Sequence, residues 1–257
     1  METTTSINKE FLIHLADNAL VLGHRNSEWT GHGPILEQDI AISNIALDLI
    51  GQARNFYQYA AARINQEEST DQSEDTLAYL RDANEYSNFL MLELPKGDWA
   101  VTTLRQFFFS SWQKLLFHQL KENPDPQLAA IAEKSLKETN YHVRWSGEWV
   151  IRLGDGTEES RRRMIAALQL LWPYSGELFH SGSYISRVID YDAFREPWES
   201  QVAHVFHEAT LASEFDSIKS STTWMQSGGI DGRHTEHLGY LLAEMQFLQR
   251  AYPGATW

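Results

Sequence analysis

Apolar residues recur along this chain at three- and four-residue intervals and nowhere in sustained alternation, so the pattern predicts helices and no sheet. The first run, about Ile7 to Leu22, puts Phe11, Leu15, Ala19 and Leu22 on one stripe and breaks in Gly23-His24-Arg25 and the loop to Gly33-Pro34. The second, about Ile35 to Asn65, is apolar nearly all round in its middle (Ile40, Ile42, Ile45, Leu47, Leu49, Ile50). Such a helix is expected to be central, covered on every side. A third run, about 74–94, carries Leu77, Leu80, Tyr86, Leu90 and Leu94 and stops at Pro95-Lys96-Gly97-Asp98. Runs over about 99–122 and 127–153 are separated by Asn123-Pro124-Asp125-Pro126. The next, about 158–180, is capped by Thr157 and holds Pro173, where a kink is expected. Pro197 opens a run to about 211, since proline suits a first helical turn. Residues 212–233 are poor in periodicity, contain Gly228-Gly229 and Asp231-Gly232, and predict a loop or lid. The last helix, about Thr235 to Arg250, has Leu238, Leu241, Leu242, Met245 and Leu248 at helical spacing.

These runs predict an all-α fold. Short turns imply antiparallel neighbours, so two long pairs, 35–94 and 99–180, predict a four-helix bundle with additional N- and C-terminal helices. The expectation is one domain over 1–257, with the bundle at about 35–180 and C-terminal helices at about 197–251. A chain of 257 residues is long enough for a substantial core.

Charge and composition narrow the function. With 21 Lys+Arg against 35 Asp+Glu the net charge is -14, which disfavours nucleic acid as a main ligand. The absence of cysteine excludes disulfides, thiolate zinc sites, iron–sulfur ligation and cysteine nucleophiles, so any metal must rest on histidine and carboxylates. The start, Met1 to Ser6, lacks a secretory pattern, and no apolar run nears the roughly 18 residues of a membrane span, so a cytoplasmic location without membrane contact is expected. Aromatics make up 12% of the chain. Trp112, Trp145, Trp149, Trp172 and Phe107 to Phe109 are expected in a large helical core and a partner-binding face.

Long acidic helices invite a test for a di-iron carboxylate site, which needs a Glu from each of two helices and an i, i+3 Glu-His pair from each of the other two. Glu177/His180 is the one Glu-His pair at that spacing. About one is expected by chance, and it sits at a helix end. Glu85-Tyr86-Ser87-Asn88 has the spacing with asparagine in place of histidine, a poor iron ligand. Asp39 and Asp48 lie in the long second run, and Glu138 and His142 are four apart in the fourth. The set Asp48, Glu85, Asn88, Glu138 and His142 therefore reads as degenerate di-iron positions. The residues favour a buried ion-pair network with Arg54, Arg81 or Arg144 over a metal centre. His204-Val205-Phe206-His207-Glu208 lacks the second zincin histidine, because position 211 is Leu. His234-Thr235-Glu236-His237 reads as a helix N-terminal cap before a metal pair. Arg161-Arg162-Arg163 reads as a solvated helix face, the one compact basic patch open to a phosphate or acidic partner, and Ser181-Gly182-Ser183 as linker.

Several ordered strings resemble a known family. They are Asp39-Ile40-Ala41-Ile42-Ser43-Asn44-Ile45-Ala46-Leu47-Asp48-Leu49-Ile50-Gly51-Gln52-Ala53-Arg54, Leu94-Pro95-Lys96-Gly97-Asp98-Trp99-Ala100, Tyr141-His142-Val143-Arg144, Arg152 to Thr157, Leu171-Trp172-Pro173-Tyr174, and His234 to Gly239 with Leu242 to Gln246. Together they resemble the PaaC family of phenylacetic acid degradation proteins over nearly the whole chain. The resemblance implies a ferritin-like fold and the role of non-catalytic structural subunit in a ring 1,2-phenylacetyl-CoA epoxidase. It implies no catalytic residue, metal or cofactor in this chain. Di-iron is expected in a homologous catalytic subunit, and FAD, iron–sulfur and NADPH at a separate reductase. A homodimer is possible when the catalytic subunit is absent. Glu177/His180 departs from the family pattern and leaves metal binding open. The rival reading is an active ferritin-like di-iron oxygenase or iron-binding protein in its own right.

Overall fold

A computed structural model describes residues 7–182, 184–185 and 188–255. The leader reading of Met1 to Ser6 and the Ser183 end of the linker reading lie outside the described residues. Within them the structure has eleven α-helices and no strand: α1 (Lys9–Ser27), α2 (Leu36–Glu68), α3 (Glu74–Tyr79), α4 (Leu90–Glu93), α5 (Trp99–Leu120), α6 (Pro126–Gly154), α7 (Glu158–Ser175), α8 (Arg195–Glu208), α9 (Ala212–Ser221), α10 (Glu236–Met245) and α11 (Phe247–Ala251). The fold is all-α and ferritin-like, built on two long helix hairpins, α1–α2 and α5–α6. The chain divides into two compact units, residues 1–95 with 228–257, and residues 96–227.

In the first unit, Asn8 caps α1 by accepting from the Phe11 amide at 2.8 Å. The α1–α2 hairpin is antiparallel. Lys9 pairs with Glu68 at one end, Asp17 meets Tyr57 in the middle, and Gly23 lies against Ala46 and Leu49 at the other. Phe11, Leu12, Leu15 and Leu22 of α1 close on Ile42, Ile45, Leu49, Ala53 and Phe56 of α2, all buried. Two expectations are corrected here. The helix paired with α2 is α1, not a run over 74–94. That run breaks into α3, a 3-10 turn at Ala83–Glu85 and α4, because side chains of α1 capture backbone groups that a helix would use. Nor is α2 covered on every side: Ile40 is 53% and Leu47 66% exposed.

In the second unit, Asp98 caps α5, and Asp125 caps α6 with Pro126 in the first turn. The helix buried all round is α5, where Leu104 to Ser111 are fully enclosed. Phe108 makes edge contacts with Trp172, Trp198 and Phe206, Trp198 donates to the Phe108 carbonyl at 2.8 Å, and Trp99 meets Trp145 and Trp149 edge-on. Of the expected aromatics, Phe107 to Phe109, Trp112, Trp145 and Trp172 are buried in this core, and Trp149 is half-buried. Helix α7 runs through Pro173 to Ser175 and then gives way to a 3-10 turn at Gly176–Phe179. The segment expected as a loop from 212 begins with helix α9. Phe215 stacks on Phe206 there, an anchor too sparse to show as periodicity.

Gly154, the last residue of α6, leaves no room for a side chain. A Cβ there would sit 2.7 Å from the Ala209 carbonyl and 2.8 Å from Leu211. Gly154→Ala is expected to destabilise the protein by about 1–3 kcal/mol, the usual cost of overpacking. Equilibrium urea unfolding of the variant against wild type measures it.

Candidate functional site

The densest polar chemistry among the described residues lies inside the first unit, where α1 carries His14, Asp17, Asn18 and Arg25 inward. Their spacing of three, one and seven residues places them along one helical face. Buried polar groups must be satisfied, and these are satisfied by the irregular backbone that follows α3. The Asp17 carboxylate, fully buried, accepts from Arg81 and the Tyr57 hydroxyl, and from the Ser87 amide at 2.8 Å and hydroxyl at 3.2 Å. Asn18 Oδ1 accepts from the Phe89 amide at 2.8 Å, and the His14 ring bonds the Ser87 carbonyl at 2.6 Å. Arg81 also donates to the carbonyls of Leu77 (2.6 Å) and Glu85 (2.7 Å), and its guanidinium lies 4.2 Å over the Tyr86 ring.

A second buried centre continues from the first. Glu93, fully enclosed, accepts from Asn88 Nδ2 at 2.9 Å, the Thr235 amide at 2.6 Å and His234 Nδ1 at 2.7 Å. His234 Nε2 lies 2.9 Å from the Tyr86 carbonyl. Both ring nitrogens therefore face acceptors, and only the imidazolium can donate from both. Arg25 donates from Nε and Nη2 to the Glu93 carbonyl (3.1 and 2.7 Å) and from Nη2 to the His237 carbonyl at 3.1 Å. Gln246 Nε2 donates to the Arg81 carbonyl at 2.9 Å and the Tyr86 hydroxyl at 3.2 Å. The network thus sews α1, α2, the 81–93 segment and the 234–246 segment together.

Titration follows from these surroundings. Burial pushes the His14 pKa down to about 4, only partly opposed by the Ser87 carbonyl and Asp17. Burial also works against charge on His234, but the hydrogen bond and charge of Glu93, with the Tyr86 carbonyl, outweigh it and hold its pKa above the ordinary 6.5. Burial and the Asp17 charge push the Tyr57 hydroxyl well up. Burial opposes the Arg81 charge, yet Asp17 more than compensates and raises its pKa.

The residues marked in the sequence fall elsewhere or serve differently. Glu85 is exposed and accepts from the Asp82 amide at 2.7 Å, closing the cap of the 3-10 turn. Asn88 belongs to the Glu93 centre. Asp48 is half-buried on α2; Glu138 and buried His142 are on α6, in the second unit. Glu177 is buried while His180 is exposed. Of the arginines expected with these groups, Arg81 takes Asp17, Arg54 takes Glu74 at 3.4 Å, and Arg144 lies over the Tyr141 ring. Among the described residues no three His, Asp or Glu side chains gather to hold a metal ion. Asp39 accepts from the Gly33 amide at 3.1 Å, and that backbone donation with Gly31's lowers its pKa. His204 pairs with Glu208 at 3.4 Å, and Thr235 accepts from the His237 amide at 3.3 Å as an N-cap. The arginine patch is an ion-pair lattice, Arg161 with Glu214 and Arg162 and Arg163 with Glu159. Sequence reasoning missed Asp17, Glu93 and the role of His234. The signal for the first was three polar residues, His14, Asp17 and Asn18, inside an otherwise apolar helical run.

Residues 1–257 match the family model described as phenylacetic acid catabolic protein. The chain belongs to that family. It is 44% identical over 253 residues to a protein of Escherichia coli (strain K12) named as one of the subunits of 1,2-phenylacetyl-CoA epoxidase, covering 96% of this chain and 98% of the relative. The resemblance read from the Asp39–Arg54 string and its companions therefore holds over the full length. This member of the phenylacetic acid catabolic family has no described helix long and apolar enough to cross a membrane.

Two expected outcomes follow from the network. Asp17→Asn removes the charge opposite buried Arg81 and should cost about 3–5 kcal/mol in urea unfolding, the range for a broken buried pair. The two histidines give opposite pH dependences. His234, with its pKa raised above 6.5, contributes fully below that pH and loses its contribution as pH rises through the folded value. His14, pushed from 6.5 to about 4, contributes fully above pH 6.5 and loses its contribution as pH falls towards 4. The stability gap between wild type and His234→Gln should therefore narrow as pH rises from 6 to 8, read as thermal midpoints.

Proposed function

We propose that this chain is the non-catalytic structural subunit of a multicomponent phenylacetyl-CoA epoxidase, acting in the cytoplasm in aerobic phenylacetate breakdown and docking to a homologous di-iron catalytic subunit. The observation that carries this reading is full-length similarity to a protein named as a subunit of that epoxidase. The buried chemistry supports it. Every charged group of the Asp17 and Glu93 centres is committed to holding the chain's own backbone, and the marked carboxylates are spread over caps and faces. On this reading iron and thioester belong to the catalytic subunit, and flavin, iron–sulfur and NADPH to a reductase. The contribution of this chain is shape: a rigid helical surface that holds the catalytic subunit's helices in the geometry its site needs. Misplacement of reacting groups by about 1 Å can cost about a hundredfold in rate.

The test is phenylacetyl-CoA turnover by the catalytic subunit and reductase with and without this chain. Omission should lower the rate by about a hundredfold, with iron remaining on the catalytic subunit. Full rate without this chain would overturn the proposal. So would stoichiometric iron on this chain that disappears in His142→Ala, which would restore the rival reading of an oxygenase in its own right.

A further inference from the structure

Resting on the subunit role just proposed, we infer that the exposed apolar line along α2 is the docking surface for the catalytic subunit. Leu36 (72% exposed), Ile40, Leu47 and Gly51 fall within one arc of the helix, opposite the buried Ile42, Ile45, Leu49 and Phe56. A Cβ added to Gly51 would meet nothing within 4 Å. The line spans about 22 Å at 1.5 Å per residue, about four turns of one uninterrupted helix. It offers the ridge and the small-residue gap that another helix packs against. The sequence patterns this stretch for cover on both sides. Helix α1 supplies one side, and the other stands in solvent. A run of exposed large apolar residues of this kind marks a protein interface. The second apolar cluster of this unit, Tyr240, Phe247, Leu248 and Tyr252, is carried on two short helices broken at Gln246 and forms no such line.

Charge chooses the occupant. Glu37 and Asp48 edge the line on one side and Asp39 on the other; Arg54, on the same arc beyond Gly51, is paired with Glu74 at 3.4 Å, and the chain as a whole carries -14. In a self-paired, isologous contact the same patch meets itself, so these acidic edges would face their own copies. A different chain presenting an apolar helix face rimmed by Lys and Arg meets opposite charge instead, which gives both register and fast association. The occupant is therefore the catalytic subunit rather than a second copy.

The absence of cysteine makes the test clean, because Ile40→Cys, Leu47→Cys and, on α7, Leu170→Cys each introduce a single thiol at an exposed site. Maleimide labelling is followed for the chain alone and with the purified catalytic subunit, alongside binding of the double variant Ile40→Asp/Leu47→Asp. Circular dichroism checks that each variant is folded. Labelling should slow at positions 40 and 47 on complex formation and stay unchanged at 170, and the double variant should bind about thirtyfold more weakly or worse, as when a buried anchor is lost. Wild type that binds while both thiols remain reactive and the double variant binds normally would overturn the surface and leave the subunit role standing. Slowed labelling at 40 and 47 in the isolated chain with rising concentration would assign the surface to a second copy and overturn the inference. Wild type that fails to bind the catalytic subunit at all would remove the subunit role itself.

Discussion

A carboxylate taken out of water must have its lone pairs filled, and the first unit is arranged around meeting that requirement at Asp17. One oxygen takes Tyr57 of α2 and Arg81 Nη2, the other Arg81 Nη1 at 3.2 Å with the amide and hydroxyl of Ser87. Fulfilling it pulls residues 86–89 out of helical geometry and directs their carbonyls at His14 and His234. Glu93 then meets the amide of Thr235, which fixes where α10 begins. A short path of hydrogen bonds thus runs from the middle of the first helix to the last segment of the chain.

In a ferritin-like protein with a metal centre, inward carboxylates and histidines are tied to one another through the ion. Here the tie within the first unit is made by arginine, histidinium and main-chain amides. Carboxylates used this way are held by the chain's own donors. The cost of removing one member is high, because the charge left behind stays buried.

The long helices are legible in the sequence because their apolar spacing and their caps agree: Asp98 opens α5, Asp125 with Pro126 opens α6, and Thr157 opens α7. The 74–94 segment misleads for an instructive reason. Leu77, Leu80, Tyr86 and Leu90 fit a helical stripe, but the amides of Ser87 and Phe89 go to side chains about seventy positions earlier in the chain, and no local window contains that competition. The pattern around Ile40 and Leu47 asks for cover, and among the described residues both stay more than half exposed. His234 looks like part of a cap, since its acceptor Glu93 lies 141 positions away. Glu85 and Asn88 stand at a metal-like spacing that the broken helix removes, because one closes a turn and the other faces Glu93.

The claim that buried side chains of α1 replace helical bonds in the 86–93 segment is tested most directly by amide hydrogen exchange at Ser87 and Phe89 in metal-stripped protein. The account expects both amides, although outside any helix, to exchange as slowly as the core amides of α1 and α2, opening only with global unfolding. Exchange at the rate of an exposed loop would contradict it.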